Sequence, residues 1–168
     1  MSLIHQALLC IFPVLVILAA LKDVTSYTIP NWISGVLIIA FIPAALTSGL
    51  PLGATGMHLV VGLVCLVAGI GMFALGWIGG GDAKLFAAAG LWLGFNSMST
   101  FLLVTALAGG ALAIALLRLR SNWARNVLPV GPAWVERLRE PKGNAPYGVA
   151  IALGALVAFP QSLLFAAI

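Results

Sequence analysis

The sequence predicts an all-α polytopic membrane protein, and three observations predict it. Charged residues are 7% of the chain against 62% apolar ones, with a mean hydropathy of +1.17, whereas a soluble domain carries about 25% charged residues. So little polar surface cannot coat a water-soluble globule. The apolar residues are gathered into runs close to the ~20 residues that a helix needs to cross the hydrocarbon core. The short alternating segments of a membrane β-barrel are missing.

The runs fall near 4–21, 32–50, 57–78, 84–95, 99–117 and 147–166, and each can satisfy its own backbone hydrogen bonds in lipid. The first lacks the basic flank of a signal peptide, since only His5 precedes it and Lys22 follows, so it reads as an uncleaved span. The second opens at Pro30, which suits the first turn of a helix, where a missing N–H costs nothing. The third carries Gly62, Gly69 and Gly76 at heptad spacing, and the short fourth carries Gly90 and Gly94. Small residues at such intervals let membrane helices approach closely. Together the runs predict one domain, 1–168, of about six transmembrane helices.

The basic residues orient it. Lys22 lies in the first expected loop, Lys84 at the end of the third, and Arg118, Arg120, Arg125, Arg137, Arg139 and Lys142 in the fifth. All fall on one side of a six-span chain, which the positive-inside rule makes cytoplasmic, with both termini outward. The 118–146 loop repeats Leu119, Trp123 and Val127, then Trp134, Val135 and Leu138, among arginines. It is expected to form interfacial helices in the lipid headgroup layer. The net charge of +4 does not imply nucleic acid, because the basic residues flank spans and form no dense stripe.

Cys10 and Cys65 sit singly in different spans and cannot make a CxxC pair or a zinc cluster, so both are expected to be buried small apolar residues. His5 and His58 both fall on the outer side, His58 as an interfacial tip of the third helix. No metal site and no Ser-His or Cys-His catalysis is expected.

Of four acidic residues, Glu136 and Glu140 belong to the polar face of the 118–146 loop, able to pair with Arg137, Arg139 or Lys142. Asp23 and Asp82 stand where apolar helices meet the cytoplasmic face. Acids at membrane depth cost a few kcal/mol and point to function. The first and third helices run in the same direction, so both aspartates reach the same depth on the same side. Two carboxylates in contact share one proton. The ionised one can then activate a water for attack on a peptide carbonyl while the protonated one polarises the carbonyl oxygen. Two other readings compete. The aspartates could cap helices or neutralise Lys22 and Lys84, or serve as the relay of a small proton- or cation-coupled transporter or channel.

Gly79, Gly80 and Gly81 precede Asp82. Glycine permits positive φ and close backbone approach, so a substrate strand could lie against this loop. A phosphate cradle is excluded, because Lys84 is followed by Leu85 and not by Ser or Thr. Beyond Asp23, Ile29-Pro30-Asn31 puts a polar side chain at the same level, able to orient a neighbouring loop or carboxylate.

The segment GGGDAKL at 79–85 resembles the GxGDxKL signature of the prepilin peptidases, the type IV leader peptidases among the GxGD aspartic membrane proteases. The stretch from Asp23 to Ile29-Pro30-Asn31 resembles that family's other aspartate motif, and the small size resembles its short CpaA/TadV-like branch. An archaeal preflagellin peptidase is the nearest competitor within the class. The resemblance implies an aspartic endopeptidase of the bacterial inner membrane with Asp23 and Asp82 as the catalytic pair. Gly79, Gly81 and Lys84 fall on signature positions, with Gly80, Pro30 and Asn31 in support. It implies no cofactor. The substrates would be Flp-type prepilins or pseudopilins, cut after a short cytoplasmic leader that precedes an apolar helix. The implied partners are these precursors, membrane lipids and the pilus-assembly machinery. Larger family members also methylate the new terminus and carry paired CxxC motifs, which this sequence lacks, so cleavage without N-methylation is expected.

Overall fold

A computed structural model describes residues 3–121, 129, 131–140, 143 and 145–166. In chain order the helices are α1 (Leu3–Ser26), α2 (Asn31–Thr47), α3 (Leu52–Ala74), α4 (Gly80–Leu93), α5 (Met98–Leu119), α6 (Ala133–Arg139), α7 (Tyr147–Ala158) and α8 (Leu163–Ala166). A 3₁₀ turn at Phe159–Gln161 joins the last two. No strand occurs among the described residues. The all-α membrane architecture is therefore as the sequence predicts.

Four stretches are long and apolar enough to cross a membrane: Leu3–Ser26, Leu52–Ala74, Met98–Leu119 and Tyr147–Ala166. The apolar α2 is shorter, at 17 residues, and α4 has only 14. That short helix is the centre of the bundle. Helices α2, α3 and α7 pack around it, α1 closes over α2 and α7, and α5 leans on α7.

Lipid is as apolar as a leucine, so close packing must hold such helices together. Gly62 and Gly69 of α3 face α4, where an added Cβ would lie 3.0 Å from the Leu91 Cβ and 3.1 Å from the Ala83 carbonyl oxygen. Gly90 answers from α4 against the Cys65 side chain. Phe12, Trp92 and Phe159 form an aromatic cluster, with the Phe12 ring stacked on Trp92 at 5.3 Å between centroids and tilted against Phe159 at 4.6 Å. The Trp92 indole donates to the Leu37 carbonyl at 2.8 Å, which fixes α4 against α2.

Several helix limits differ from the sequence reading. Helix α1 runs past Asp23 to Ser26 because the Thr25 and Ser26 hydroxyls donate to the Leu21 and Lys22 carbonyls, both at 2.7 Å. Helix α4 starts at Gly80, so Gly80 and Gly81, expected in a loop, open its first turn, and Gly79 is the extended residue before it. Pro30 precedes the first residue of α2 and does not lie within its first turn. The last run is not one helix, since Pro160, which lacks an N–H, lies in the turn at Phe159–Gln161.

Two other expectations are corrected. His58 is not an interfacial tip: it is buried, with Nδ1 2.9 Å from the Leu91 carbonyl oxygen. Cys65 is buried as expected, but Cys10 is exposed on α1. In the 118–146 segment, α6 packs on α5 and α1. Arg139 is buried there, donating to Glu136 at 2.7 Å and to the Pro129 carbonyl at 2.9 Å, while Arg120 donates to the Leu138 carbonyl at 2.9 Å. Trp123, Arg125, Val127 and Lys142 lie outside the described residues.

Candidate active site

Asp23 lies in the last turn of α1, three residues before its end, and Asp82 is the third residue of α4; they are 4% and 6% exposed. Both line the same two connected hollows. One, of about 400 Å³, also meets Tyr27, Trp77, Gly79 and Tyr147. The other, of about 220 Å³, also meets Thr28, Ile29 and the three glycines. The two carboxyls lie close enough to act on each other electrostatically. Asp23 and Asp82, from different helices, thus come together in the structure.

Burying two carboxyls costs several kcal/mol each unless donors replace water. Two helix starts supply them. The Gly148 N–H, in the first turn of α7, donates to Asp23 Oδ2 at 2.7 Å. The Gly79 N–H donates to Asp82 Oδ2 at 3.0 Å. Such amides have no partner within their own helix. Asp82 therefore does cap its helix, as one sequence reading held, but with one oxygen only. Its Oδ1 is buried and has no hydrogen-bond partner among the described residues. At about 30 Å³ per water, the larger hollow has room for both a water and a substrate group.

The glycines divide the work. An added Cβ at Gly81 would lie 3.0 Å from the Ile29 Cβ and 3.3 Å from the Ile29 backbone nitrogen. At Gly79 it would lie 3.1 Å from Asp82 Oδ2, whereas at Gly80 it would meet only the Phe73 ring, at an ordinary 3.5 Å. The close backbone approach expected here is made by the chain's own Ile29-Pro30 segment at Gly81, and none of the three has a positive φ. Pro30, with φ −60°, holds that segment extended into α2. The Lys84 ammonium donates to the Asn31 side-chain oxygen at 2.7 Å, tying the two motifs together outside the hollows. Asn31 thus orients a lysine and not a carboxylate.

Sequence reasoning missed Gly148, Tyr27 and Tyr147. At Gly148 a Cβ would lie 2.8 Å from Asp23 Oδ2, so only glycine lets α7 approach the carboxyl. Its signal was a glycine two residues after Pro146, at the start of the last span and at the depth of the aspartates. Tyr27 is the one described non-glycine residue with positive φ, at 54°. Its N–H donates to the Asp23 carbonyl at 2.8 Å, ending α1, and its side chain lines both hollows. Burial holds the Tyr27 phenol above its ordinary range, against the opposing pull of neighbouring Arg120. Nothing in the sequence marks an aromatic residue as left-handed.

Fold and hollow together define a helical membrane protein with a paired-carboxylate site. The chain belongs to the type IV leader peptidase family, whose profile matches residues 10–114, a stretch that holds both aspartates and the glycine run. It is similar to the "Prepilin leader peptidase/N-methyltransferase" of Aeromonas hydrophila, with 40% identity over 55 residues, 33% of this chain and 19% of that protein. The protein of the same description from Aeromonas salmonicida (strain A449) matches to the same extent, 40% over 55 residues. The aligned stretch thus spans about a fifth of the length of these relatives. No solved structure matches significantly.

Proposed function

We propose that the protein is an aspartic endopeptidase that removes the leader of type IV prepilins at the cytoplasmic face of a bacterial inner membrane. Asp23 and Asp82 are its catalytic pair. The observation that carries this reading is their meeting in one buried hollow, from helix ends far apart in sequence, each held by a backbone N–H. One carboxylate takes a proton from a water as that water attacks the scissile carbonyl; the other, protonated, polarises the carbonyl oxygen and then feeds the leaving amine. Asp82 Oδ1, buried and without a hydrogen-bond partner among the described residues, is the atom that would hold that water.

The finer reading is a six-span protein with both termini outward, acting on Flp-type prepilins or pseudopilins without methylating the new terminus. The pattern of basic residues supports the orientation, and the separation of Cys10 on α1 from Cys65 on α3 supports cleavage alone. The relay of a transporter is disfavoured by both acids lying at one end of the bundle. The test is the size of a tagged Flp-type prepilin in membranes with and without this chain. A precursor that stays full length in both overturns the reading.

A further inference from the structure

Among the described residues, two apolar grooves outside the aspartate hollows bear on the site. One lies against α2, α3 and α4, is about 450 Å³, and has Lys84 and Asn31 at one end; it shares no lining residue with the aspartate hollows. The other is about 520 Å³, with α5 as one wall, Met72 and Ile78 opposite, and Phe86 and Ile151 as floor. Trp77, Ile78 and Tyr147 line both this groove and the larger aspartate hollow. It is continuous with the proposed catalytic site, and the first groove is not.

Its α5 wall extends from Leu102 to Ala113, about 16 Å at 1.5 Å per residue, or three helical turns. The residues at its centre, Ala106 and Gly110, are exposed, and an added Cβ at Gly110 would meet nothing within 4 Å. A wall of small residues lets another helix come close in lipid. Because α5 leans on α7 and α3 on α4, the groove opens sideways between α3 and α5. A chain arriving there comes from within the bilayer and must be apolar.

Resting on the peptidase reading, we propose that this groove between α3 and α5 seats the apolar helix of the prepilin substrate, beside Ala106 and Gly110. The segment before that helix then passes Trp77 and Tyr147 to reach the aspartates. The groove holds the substrate in register, so the distance from the helix to the cut is set by the distance from groove to hollow.

Site-directed disulfide cross-linking tests it. The enzyme carries Asp82→Asn, to retain uncleaved substrate, and Cys10→Ser, with Ala106→Cys, Gly110→Cys or, as control, Leu103→Cys. Leu103 is exposed on α5 but does not line the groove. The probe is a Flp-type prepilin with single cysteines along the first turns of its apolar segment. Cross-links from 106 and 110, recurring every third or fourth substrate position and at least tenfold above those from 103, are expected. Equal yields from 103, no yield from the groove, or a groove that cross-links only to a second copy of this chain overturns the proposal. In each of those cases, cleavage of the same prepilin by the unaltered chain leaves the peptidase reading standing. Absence of that cleavage overturns the reading and, with it, the groove's occupant.

Discussion

The backbone N–H of Gly148 donates a 2.7 Å hydrogen bond to the Asp23 carboxyl, 125 residues earlier in the chain. This bond joins the start of α7 to the end of α1 and seats one of the two aspartates. It exists only because position 148 has no side chain, since a Cβ would lie 2.8 Å from Asp23 Oδ2 and 2.8 Å from the Ile29 Cδ1.

Gly148→Ala should therefore move Asp23 while leaving the chain inserted. A displacement of about 1 Å at a reacting group costs on the order of 10²-fold in rate. Because Gly148 acts through Asp23, the loss should fall on kcat, with KM for a prepilin little changed. A rise in KM at unchanged kcat would mean that the glycine serves substrate binding instead.

Asp23→Asn and Asp82→Asn should each reduce cleavage by roughly 10²–10⁴-fold, the usual worth of positioned acid–base groups. Glu140→Gln is the control for loss of charge, and it should cleave normally. Glu136 is a poorer control, because it accepts from Gly131 at 2.8 Å and from Arg139 at 2.7 Å. Near-normal processing by either asparagine variant, with normal amounts of protein in the membrane, would sink the paired-carboxylate mechanism.

The glycine run predicts an asymmetry. Gly81→Ala forces a methyl group to within 3.0 Å of the Ile29 Cβ, an overpacking that costs about 1–3 kcal/mol. Gly80→Ala meets only ordinary contact with Phe73 and should be stable and active. Thermal unfolding in detergent separates the two. Equal stability of both variants would show that the Ile29 segment does not need the space at Gly81.

Much of this was legible in the sequence, and for a physical reason. Spans announce themselves by composition, and an aspartate at the end of an apolar run is too costly to be incidental, so Asp23 and Asp82 stood out. What the sequence hid depends on approach between distant segments. Gly148 looks like any small residue in a span until α1 is placed beside it. His58 looks like a polar tip until Leu91 supplies a buried carbonyl at 2.9 Å. Arg139 looks solvated until Glu136 and Pro129 close on it. At Gly81 the close approach is made within the chain, by Ile29, a partner that the sequence alone does not name.

Tyr27 predicts a conflict between stability and activity. A non-glycine residue in the left-handed region costs about 1–2 kcal/mol, and Tyr27 holds φ 54° while its side chain lines both hollows. Tyr27→Gly relieves the backbone and removes the ring, so it should unfold at a higher temperature yet cleave at least about tenfold more slowly. Tyr27→Phe keeps the ring and should retain most activity. If Tyr27→Gly cleaves like the unaltered chain, the strained residue is not part of the site.

The final prediction concerns whether α4 crosses the membrane. Its 14 residues span about 21 Å at 1.5 Å per residue, against a hydrocarbon core of about 30 Å. A short helix is accommodated by thinning the bilayer or by protein packed around its ends, and α4 is enclosed by α2, α3 and α7. Between Thr28 and Asn96 lie α2, α3 and α4, so three crossings put these positions on opposite sides and two put them on the same side. Both are exposed, whereas Ser97 is fully buried and would report nothing. In cells carrying Thr28→Cys or Asn96→Cys with Cys10→Ser, a membrane-impermeant thiol reagent added from outside should label position 96 and not 28. After permeabilisation both should react. Labelling of both from the same side would place α4 as a re-entrant helix; Asp82, at its start, would stay on the side of Thr28, but the six-span topology would fall.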